Sequence, residues 1–171
     1  MKYLITGGQF NDAGGRPSGY ITKLFDAFIA MDNEGVLVNG GTLNDLNKVI
    51  NTDYLIPYKA LFWFAEVPNQ KYRIKDICPH IILVTSIKNN NEHDYMEIIN
   101  RALKTKSNLI VSFNSMSKNI EATILDPLGN MFCRSVAIKQ VAESLYKRVI
   151  ELMKIQEILI CSSIPVSSSQ S

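Results

Sequence analysis

Glycine is concentrated in one short stretch near the start of the chain. Five of the nine glycines fall between residues 7 and 19, and these are Gly7, Gly8, Gly14, Gly15 and Gly19. Glycine adopts positive φ without strain and lets the backbone approach a ligand closely. A helical pattern begins just after this stretch, near Tyr20, and the free N–H groups at the start of a helix favour a phosphate. The stretch therefore predicts a binding loop for a nucleotide-type ligand.

Three polar side chains lie within the same loop. Arg16 carries a planar guanidinium that suits a phosphate or a carboxylate. Ser18 is positioned to cap the helix that follows. Asp12 could contact a sugar hydroxyl or a metal ion, but an Asx turn is the more frequent reason for an aspartate in such a loop. We predict all three as ligand contacts and keep the Asx turn as the alternative for Asp12.

A second glycine turn follows the second predicted strand, residues 35–38. Its residues are Asn39, Gly40, Gly41 and Thr42, and an amphipathic pattern continues over residues 43–50. The turn would let the second helix present its N-terminus to a ligand, with Thr42 as both cap and contact. Capping alone explains Thr42 equally well. Asn39 is predicted to orient a sugar.

One carboxylate, Glu66, directly follows the third predicted strand, residues 60–65. An apolar wall beside a carboxyl group raises its pKa toward the range that suits acid/base work or nucleophilic attack. Glu66 is therefore the candidate catalytic residue, and a purely structural role is the alternative. Uncharged hydrogen-bonding side chains follow the third and fourth strands, and we predict ligand contacts at Asn69, Thr85 and Ser86. Such residues are also common turn formers, so the argument depends on their agreement across several loops.

The hydrophobic pattern supplies the elements that would position these residues. Apolar runs at residues 3–5, 35–38, 60–65, 80–84 and 109–113 predict strands, and helical spacing connects several of them. Parallel strands with right-handed crossovers follow from this alternation. Asp126, Pro127, Gly129 and Asn130 carry turn chemistry between residues 120–125 and 131–133, which predicts a hairpin. Residues 135–153 read as the longest helix.

These elements predict an α/β fold: a three-layer Rossmann-like domain with a mainly parallel sheet of about five strands, a C-terminal β-hairpin and a long helix. We expect one domain over residues 1–153 and a tail over residues 154–171 whose end is mobile. The carboxyl ends of the parallel strands share one edge, where open α/β sheets bind ligands. The glycine and polar loops above all fall at that edge.

Composition excludes several classes of protein. With 171 residues and a net charge of +2, the chain has no basic surface of the kind that binds nucleic acid, and no apolar run approaches the length of a membrane span. The three cysteines are odd in number and widely spaced, so no disulfide framework or zinc site is indicated, and His80 and His93 form no metal pair. We predict no metal, no cofactor, no membrane partner and a cytoplasmic location. The sequence has neither a G-x-x-x-x-G-K-[ST] nor a G-x-G-x-x-G motif.

Two segments resemble a known group of proteins. The run Tyr3-Leu4-Ile5-Thr6-Gly7-Gly8 is similar to the opening strand and glycine turn of the Rossmann-like superfamily that includes SLOG proteins and nucleoside 2-deoxyribosyltransferases, and residues 36–42 (VLVNGGT) are similar to its second strand and turn. The resemblance covers roughly the first 50 residues. It implies nucleotide binding, and in several members an N-glycosidic bond is cleaved or transferred by a carboxylate.

The prediction for function is accordingly a protein that binds a nucleotide or nucleoside phosphate and cleaves or transfers an N-glycosidic bond. A module that senses or sequesters a nucleotide signal without chemistry is the first alternative. A scaffold or homo-oligomer subunit whose glycine loop binds nothing is the second alternative. The small molecule is the expected partner in the first two cases.

Overall fold

Seven strands form one sheet in the computed structural model, which describes residues 2–6, 18–32, 36–39, 60–63, 80–87, 91–114 and 119–163. The strands are β1 (Lys2–Thr6), β2 (Val36–Asn39), β3 (Ala60–Trp63), β4 (Ile81–Ile87), β5 (Leu109–Asn114), β6 (Glu121–Leu125) and β7 (Met131–Ser135). Their order across the sheet is β2-β1-β3-β4-β5-β6-β7. The first five are parallel to one another, and β6 and β7 are antiparallel to their neighbours.

Helices cover both faces of this sheet. Those among the described residues are α1 (Ser18–Ala30), α2 (Glu92–Lys104) and α3 (Ile138–Ser163). Helices α1 and α3 pack against each other on one face, while α2 packs on β4 and β5 from the other. Right-handed crossovers explain this division, because the step from β1 to β2 and the step from β4 to β5 run in opposite directions across the sheet. The predicted α/β class is confirmed.

The main core lies between the sheet and the pair α1 and α3. Strands β4 and β5 contribute alternate residues to it, since successive side chains on a strand point to opposite faces. The buried members of this cluster include Ile82, Val84, Val111, Phe113, Ile124, Leu24, Phe25, Phe28, Val141, Leu145 and Val149. The other face of the same strands is buried beneath α2. Burial on both faces is why β4 and β5 read as nearly continuous apolar runs.

A contact between β1 and the end of α1 fixes that helix on the sheet. The Tyr3 hydroxyl donates a hydrogen bond of 3.0 Å to Asp32 Oδ2, and the Tyr3 ring meets Phe28 edge-to-face with 5.1 Å between ring centroids. Burial, and next the neighbouring Asp32 carboxylate, raise the pKa of Tyr3 well above its usual range. The phenol therefore keeps its proton and serves as a donor.

Helix α2 is defined by caps that the sequence supplies. Asn91 Oδ1 accepts a hydrogen bond of 2.9 Å from the Asp94 N–H, which satisfies a free donor of the first turn. The helix stops at Thr105, and Lys106 takes a φ of 54°. Asn108 then bonds to both backbone groups of Ile81, at 3.0 and 2.7 Å, so the starts of β4 and β5 are held together.

The hairpin between β6 and β7 turns around one aspartate. Asp126 Oδ1 accepts from the N–H groups of Leu128 at 3.0 Å and Asn130 at 2.9 Å. Gly129 adopts a φ of +88°, which a residue with a Cβ rarely takes. Asp126 and Gly129 are both residues of the predicted turn.

Two elements are longer than the sequence pattern predicted. Strand β4 continues through Thr85 and Ser86 to Ile87, because each of these residues finds a register partner on β5. Thr85 and Ser86 thus lie in a strand and not in a loop. Helix α3 continues ten residues beyond Met153, so residues 154–163 extend the helix where we had expected a tail. Its sequence has no glycine or proline before Pro165 that would end it sooner.

Candidate functional site at the carboxyl edge of the parallel strands

The carboxyl ends of five parallel strands meet at one edge of the sheet. Register pairs place Ile5 beside Asn39, Thr6 beside Trp63, and Ile87 beside Asn114. The predicted residue Asn39 is the last residue of β2 and so lies at this edge. The edge therefore collects the chain segments that leave β1, β2, β3, β4 and β5.

The direction in which successive strands are added to the sheet reverses at β1. From β1 the chain goes to β2 on one side, and it later returns to β3 on the other side of β1. In open α/β sheets the crossovers diverge at such a point and leave a crevice, which in this strand order would fall between β1 and β3. Ligands of open α/β sheets bind in that crevice, outside the carboxyl ends of the strands. The glycine stretch connects the end of β1 to α1 directly at this position in the topology.

The start of α1 has the electrostatic character that an anion site requires. The helix begins at Ser18, two residues earlier than the pattern near Tyr20 predicted, so Ser18 is its first residue and not the cap that the sequence predicts. The first turn carries no acidic side chain. Gly19 is exposed, and an added Cβ there would meet no atom of the described residues within 4 Å. The unpaired N–H groups of a first turn and the positive end of a 13-residue helix attract negative charge.

Tyr20 connects this first turn to the core. Its ring meets Phe113 of β5 edge-to-face, with 5.5 Å between centroids. The hydroxyl is buried and finds no hydrogen-bond partner among the described residues. Burial, together with the nearby Cys133, raises the pKa of Tyr20 to about 12. Burial also raises the pKa of the Cys133 thiol, although a hydrogen bond with Ser144 opposes that shift, so neither group is ionised at neutral pH.

The two predicted contacts on β4 point to opposite faces of the sheet. Thr85 lies beneath α2, and its hydroxyl accepts a hydrogen bond of 2.8 Å from Arg101 Nη1. Ser86 is exposed and belongs to the face that carries α1. Because Ser86 is paired in register with Phe113, which contacts Tyr20, it lies on the same side of the edge as the start of α1. Of the two, only Ser86 lies on the face of the sheet that carries α1.

A row of hydroxyl side chains crosses the sheet beneath α2, and sequence reasoning missed it. Register pairs join Thr85 to Ser112 and Ser112 to Thr123. Tyr95 of α2 lies 3.4 Å from the Thr123 hydroxyl, just as Arg101 binds Thr85. Ser112 is fully buried, and its hydroxyl has no partner within the described part of the chain. The only sequence signal was a polar residue inside each apolar run.

Acidic residues at the start of α2 are explained by the helix itself. His93, Asp94 and Glu97 have ligand atoms within 4.8 Å of one another, a spacing that could hold a cation. His93 and Glu97 are exposed, and carboxylates in the first turns of a helix are favoured by its dipole alone. Among the described residues this group therefore has an ordinary structural explanation.

Most of the predicted site lies outside the described residues. Of the ligand-binding and catalytic candidates, the structure places Ser18, Gly19, Asn39, Thr85 and Ser86. It brings Ser18, Gly19, Asn39 and Ser86 to the carboxyl edge, whereas the Thr85 side chain is engaged beneath α2. The candidates outside the described ranges are Gly7, Gly8, Asp12, Gly14, Gly15, Arg16, Gly40, Gly41, Thr42, Glu66 and Asn69.

The fold is similar to that of a solved flavoprotein. Superposed on the DNA/pantothenate metabolism flavoprotein from Streptococcus pneumoniae, the chain gives a TM-score of 0.61 at 12% sequence identity, with 88% of this chain and 98% of that chain covered. At that identity the likeness concerns the fold alone. No protein-family model and no curated protein matches the sequence. In the described part of the chain, no helix is both long enough and apolar enough to cross a bilayer.

Proposed function

We propose that this chain is a three-layer Rossmann-like domain that binds a nucleotide or nucleoside phosphate in the crevice between β1 and β3. One observation carries the proposal. The strand order β2-β1-β3-β4-β5 reverses at β1, and the glycine stretch leaves β1 at that reversal to enter α1 at Ser18. This is the order in which doubly wound sheets hold a phosphate-bearing cofactor at the switch point.

The first turn of α1 supports a phosphate in this crevice. A helix N-terminus that is exposed, free of acidic side chains and preceded by glycines presents backbone N–H groups to an anion. Arg16, two residues before the helix, would neutralise part of the charge, and Ser86 and Asn39 would contact the sugar. The flavoprotein whose fold this chain shares is a reason to test FMN beside ordinary nucleotides.

We assign the chemical step, N-glycosidic cleavage or transfer, to Glu66. This residue follows the last described residue of β3, Trp63, by three positions, and β3 flanks the switch. In this mechanism the carboxylate attacks the anomeric carbon and the base departs with the bonding electrons. Water or a second base then displaces the carboxylate. Glu66→Gln is expected to abolish turnover while ligand binding is kept, and unchanged turnover would remove Glu66 from the mechanism.

The alternative function, nucleotide sensing without chemistry, makes a different prediction. A nucleotide that binds would raise the melting temperature of the protein, because a ligand that binds only the folded state stabilises it. Mass spectrometry would then recover the ligand unchanged after long incubation. The resemblance to SLOG proteins and nucleoside 2-deoxyribosyltransferases is compatible with both functions and remains a prediction.

A pair of substitutions at Gly19 tests the binding proposal. Space around Gly19 allows a side chain, and aspartate in a first turn is favourable for the helix, so Gly19→Asp should fold at least as well as the wild type. Its carboxylate would repel a bound phosphate, whereas the isosteric Gly19→Asn adds the same volume without charge. We expect Gly19→Asp to bind a nucleoside monophosphate at least about tenfold more weakly than Gly19→Asn.

The free nucleoside is the control ligand for this comparison. Because it carries no phosphate, it should bind both Gly19 variants alike in isothermal titration calorimetry. Equal affinities of the two variants for the monophosphate would refute a phosphate site at the start of α1.

A further inference from the structure

An apolar surface lies on the side of α2 that faces the hairpin turn. Met96 and Leu103 are seven residues apart, so they lie on one line along the helix, with Ile99 between them. Ile99 Cδ1 stands 3.9 Å from where a Cβ on Gly129 would lie, which places the β6–β7 turn beside the middle of α2. Leu128 and Met131 on either side of Gly129 complete a surface that we call the α2–hairpin patch.

The patch is exposed to an extent that is unusual for side chains of this size. The exposed fractions are 52% for Met96, 57% for Leu103, 86% for Leu128 and 48% for Met131. Single exposed apolar residues are common, but adjacent ones on a helix and a neighbouring turn mark a surface that another molecule covers. The patch is remote from the start of α1, since α2 covers the opposite face of the sheet.

The charges around the patch indicate what covers it. Acidic residues lie at the start of α2, with Glu92 and Asp94 in its first turn and Glu97 one turn further. Basic residues lie at its end, where Lys104 and then Lys106 are exposed. A second α2 laid antiparallel on the first would bring each acidic end beside a basic end. The same arrangement sets Met96 of each copy opposite Leu103 of the other.

We propose that a second copy of this chain covers the α2–hairpin patch, with the two α2 helices antiparallel about a two-fold axis. A two-fold contact uses the same surface on both subunits and must be complementary to itself. The acidic-to-basic charge gradient along α2 and the line of apolar side chains in the middle of this helix meet this condition. Met96, Ile99 and Leu103 form the middle of the interface, Leu128 and Met131 widen it, and Glu92 faces Lys106 of the second copy at both ends.

Charge reversals at the two ends of α2 test this geometry. In a dimer of Glu92→Lys chains, each new lysine faces the unchanged Lys106 of the other copy, and in a dimer of Lys106→Glu chains two glutamates meet at each end. Both side chains are exposed, so folding should be retained. We expect each variant to dimerise about tenfold more weakly than the wild type in sedimentation velocity, since two surface pairs turn from attraction to repulsion.

Mixing the two variants gives the decisive result. In a mixed dimer, the lysine introduced at position 92 of one chain meets the glutamate introduced at position 106 of the other. At the opposite end, the unchanged Glu92 and Lys106 meet as they do in the wild type. An equimolar mixture should therefore recover dimerisation. A folding defect within either single variant could not produce such a recovery. Failure of the mixture to recover would overturn the antiparallel arrangement, as would two single variants that dimerise like the wild type.

Two substitutions that replace an exposed apolar residue by glutamate test the middle of the patch. Met96→Glu should leave the chain monomeric at concentrations where the wild type is a dimer. Val136→Glu is the matched control, because Val136 is equally exposed but lies between β7 and α3 and is not part of the α2–hairpin patch. This variant should dimerise normally. A wild type that is monomeric at its highest soluble concentration, or a Met96→Glu variant that still dimerises, would overturn the proposal.

Discussion

Two tyrosines, Tyr3 fully buried and Tyr20 partly buried, should respond in opposite directions when each is changed to phenylalanine. Tyr3 and Tyr20 both pack edge-to-face on a phenylalanine, with ring centroids 5.1 and 5.5 Å apart. Phenylalanine keeps both ring contacts, so each substitution removes only a hydroxyl. The hydroxyl of Tyr3 donates to Asp32, whereas that of Tyr20 is buried without a partner among the described residues.

The expected magnitudes follow from the hydrogen bonds. Tyr3→Phe removes a bond to a carboxylate, and because Asp32 keeps some contact with solvent we expect a loss of about 1–2 kcal/mol in the free energy of unfolding. Tyr20→Phe removes a buried hydroxyl that has no hydrogen-bond partner among the described residues, so stability should be unchanged or rise by up to about 1 kcal/mol.

Urea unfolding followed by circular dichroism at pH 7 measures both values. For a chain of this size, each kcal/mol also moves the melting temperature by about 2–4 °C, so thermal scans give an independent reading. The reasoning fails if Tyr20→Phe destabilises as much as Tyr3→Phe, since that would mean that the Tyr20 hydroxyl is satisfied. It fails equally if Tyr3→Phe is neutral.

Three further predictions concern pH, capping and the row beneath α2. Burial raises the pKa of Tyr20 to about 12 from an ordinary value of 10.0. The contribution of the protonated Tyr20 to the free energy of unfolding is therefore complete below pH 10 and is lost as the pH rises toward 12. Urea midpoints that stay constant over that range would contradict the burial of Tyr20. Asn91→Ala should cost about 1 kcal/mol by removing the cap of α2, and Asn100→Ala, exposed on the same helix, should cost nothing in the same assay. Thr85→Val should cost about 1 kcal/mol because Arg101 loses an acceptor, and an unchanged urea midpoint would mean that this hydrogen bond contributes nothing.

Local chemistry explains which parts of the fold could be predicted. The hairpin turn depends on Asp126 and Gly129, whose side-chain bonding and positive φ act within five residues. The start of α2 depends in the same way on Asn91, a local signal that the sequence analysis did not use. Such signals are complete within a short window of sequence, so they can be read without knowing what packs against them.

Features that depend on distant partners could not be predicted. Thr85 and Ser86 are ordinary loop residues by type, and they become strand residues only because β5 lies beside them in register. The sequence of α3 contains no residue that would stop the helix before Ser163, yet the serine-rich sequence beyond Cys161 favoured a tail. The reversal of strand order at β1 is a property of the whole sheet, and no residue encodes it locally.

The same distinction between local signals and distant partners applies to the candidate site. Glycine spacing predicts a ligand loop after β1, and the sheet order adds only that this segment leaves β1 at the switch point. Sequence reasoning also grouped Thr85 with Ser86 as equivalent contacts. The alternation of a strand separates them, because Thr85 faces Arg101 and Ser86 faces the side of α1.

The most direct test of the central claim is a map of where a phosphorylated nucleotide perturbs backbone amides. In a ¹H–¹⁵N correlation spectrum titrated with a nucleoside monophosphate or FMN, the largest shifts should belong to Ser18, Gly19 and Ser86, at the carboxyl edge. The amides of Asn108 and Asn130, at the opposite edge, should stay in place. Shifts confined to that opposite edge, or no shift at any ligand concentration, would contradict a nucleotide site at the β1–β3 switch.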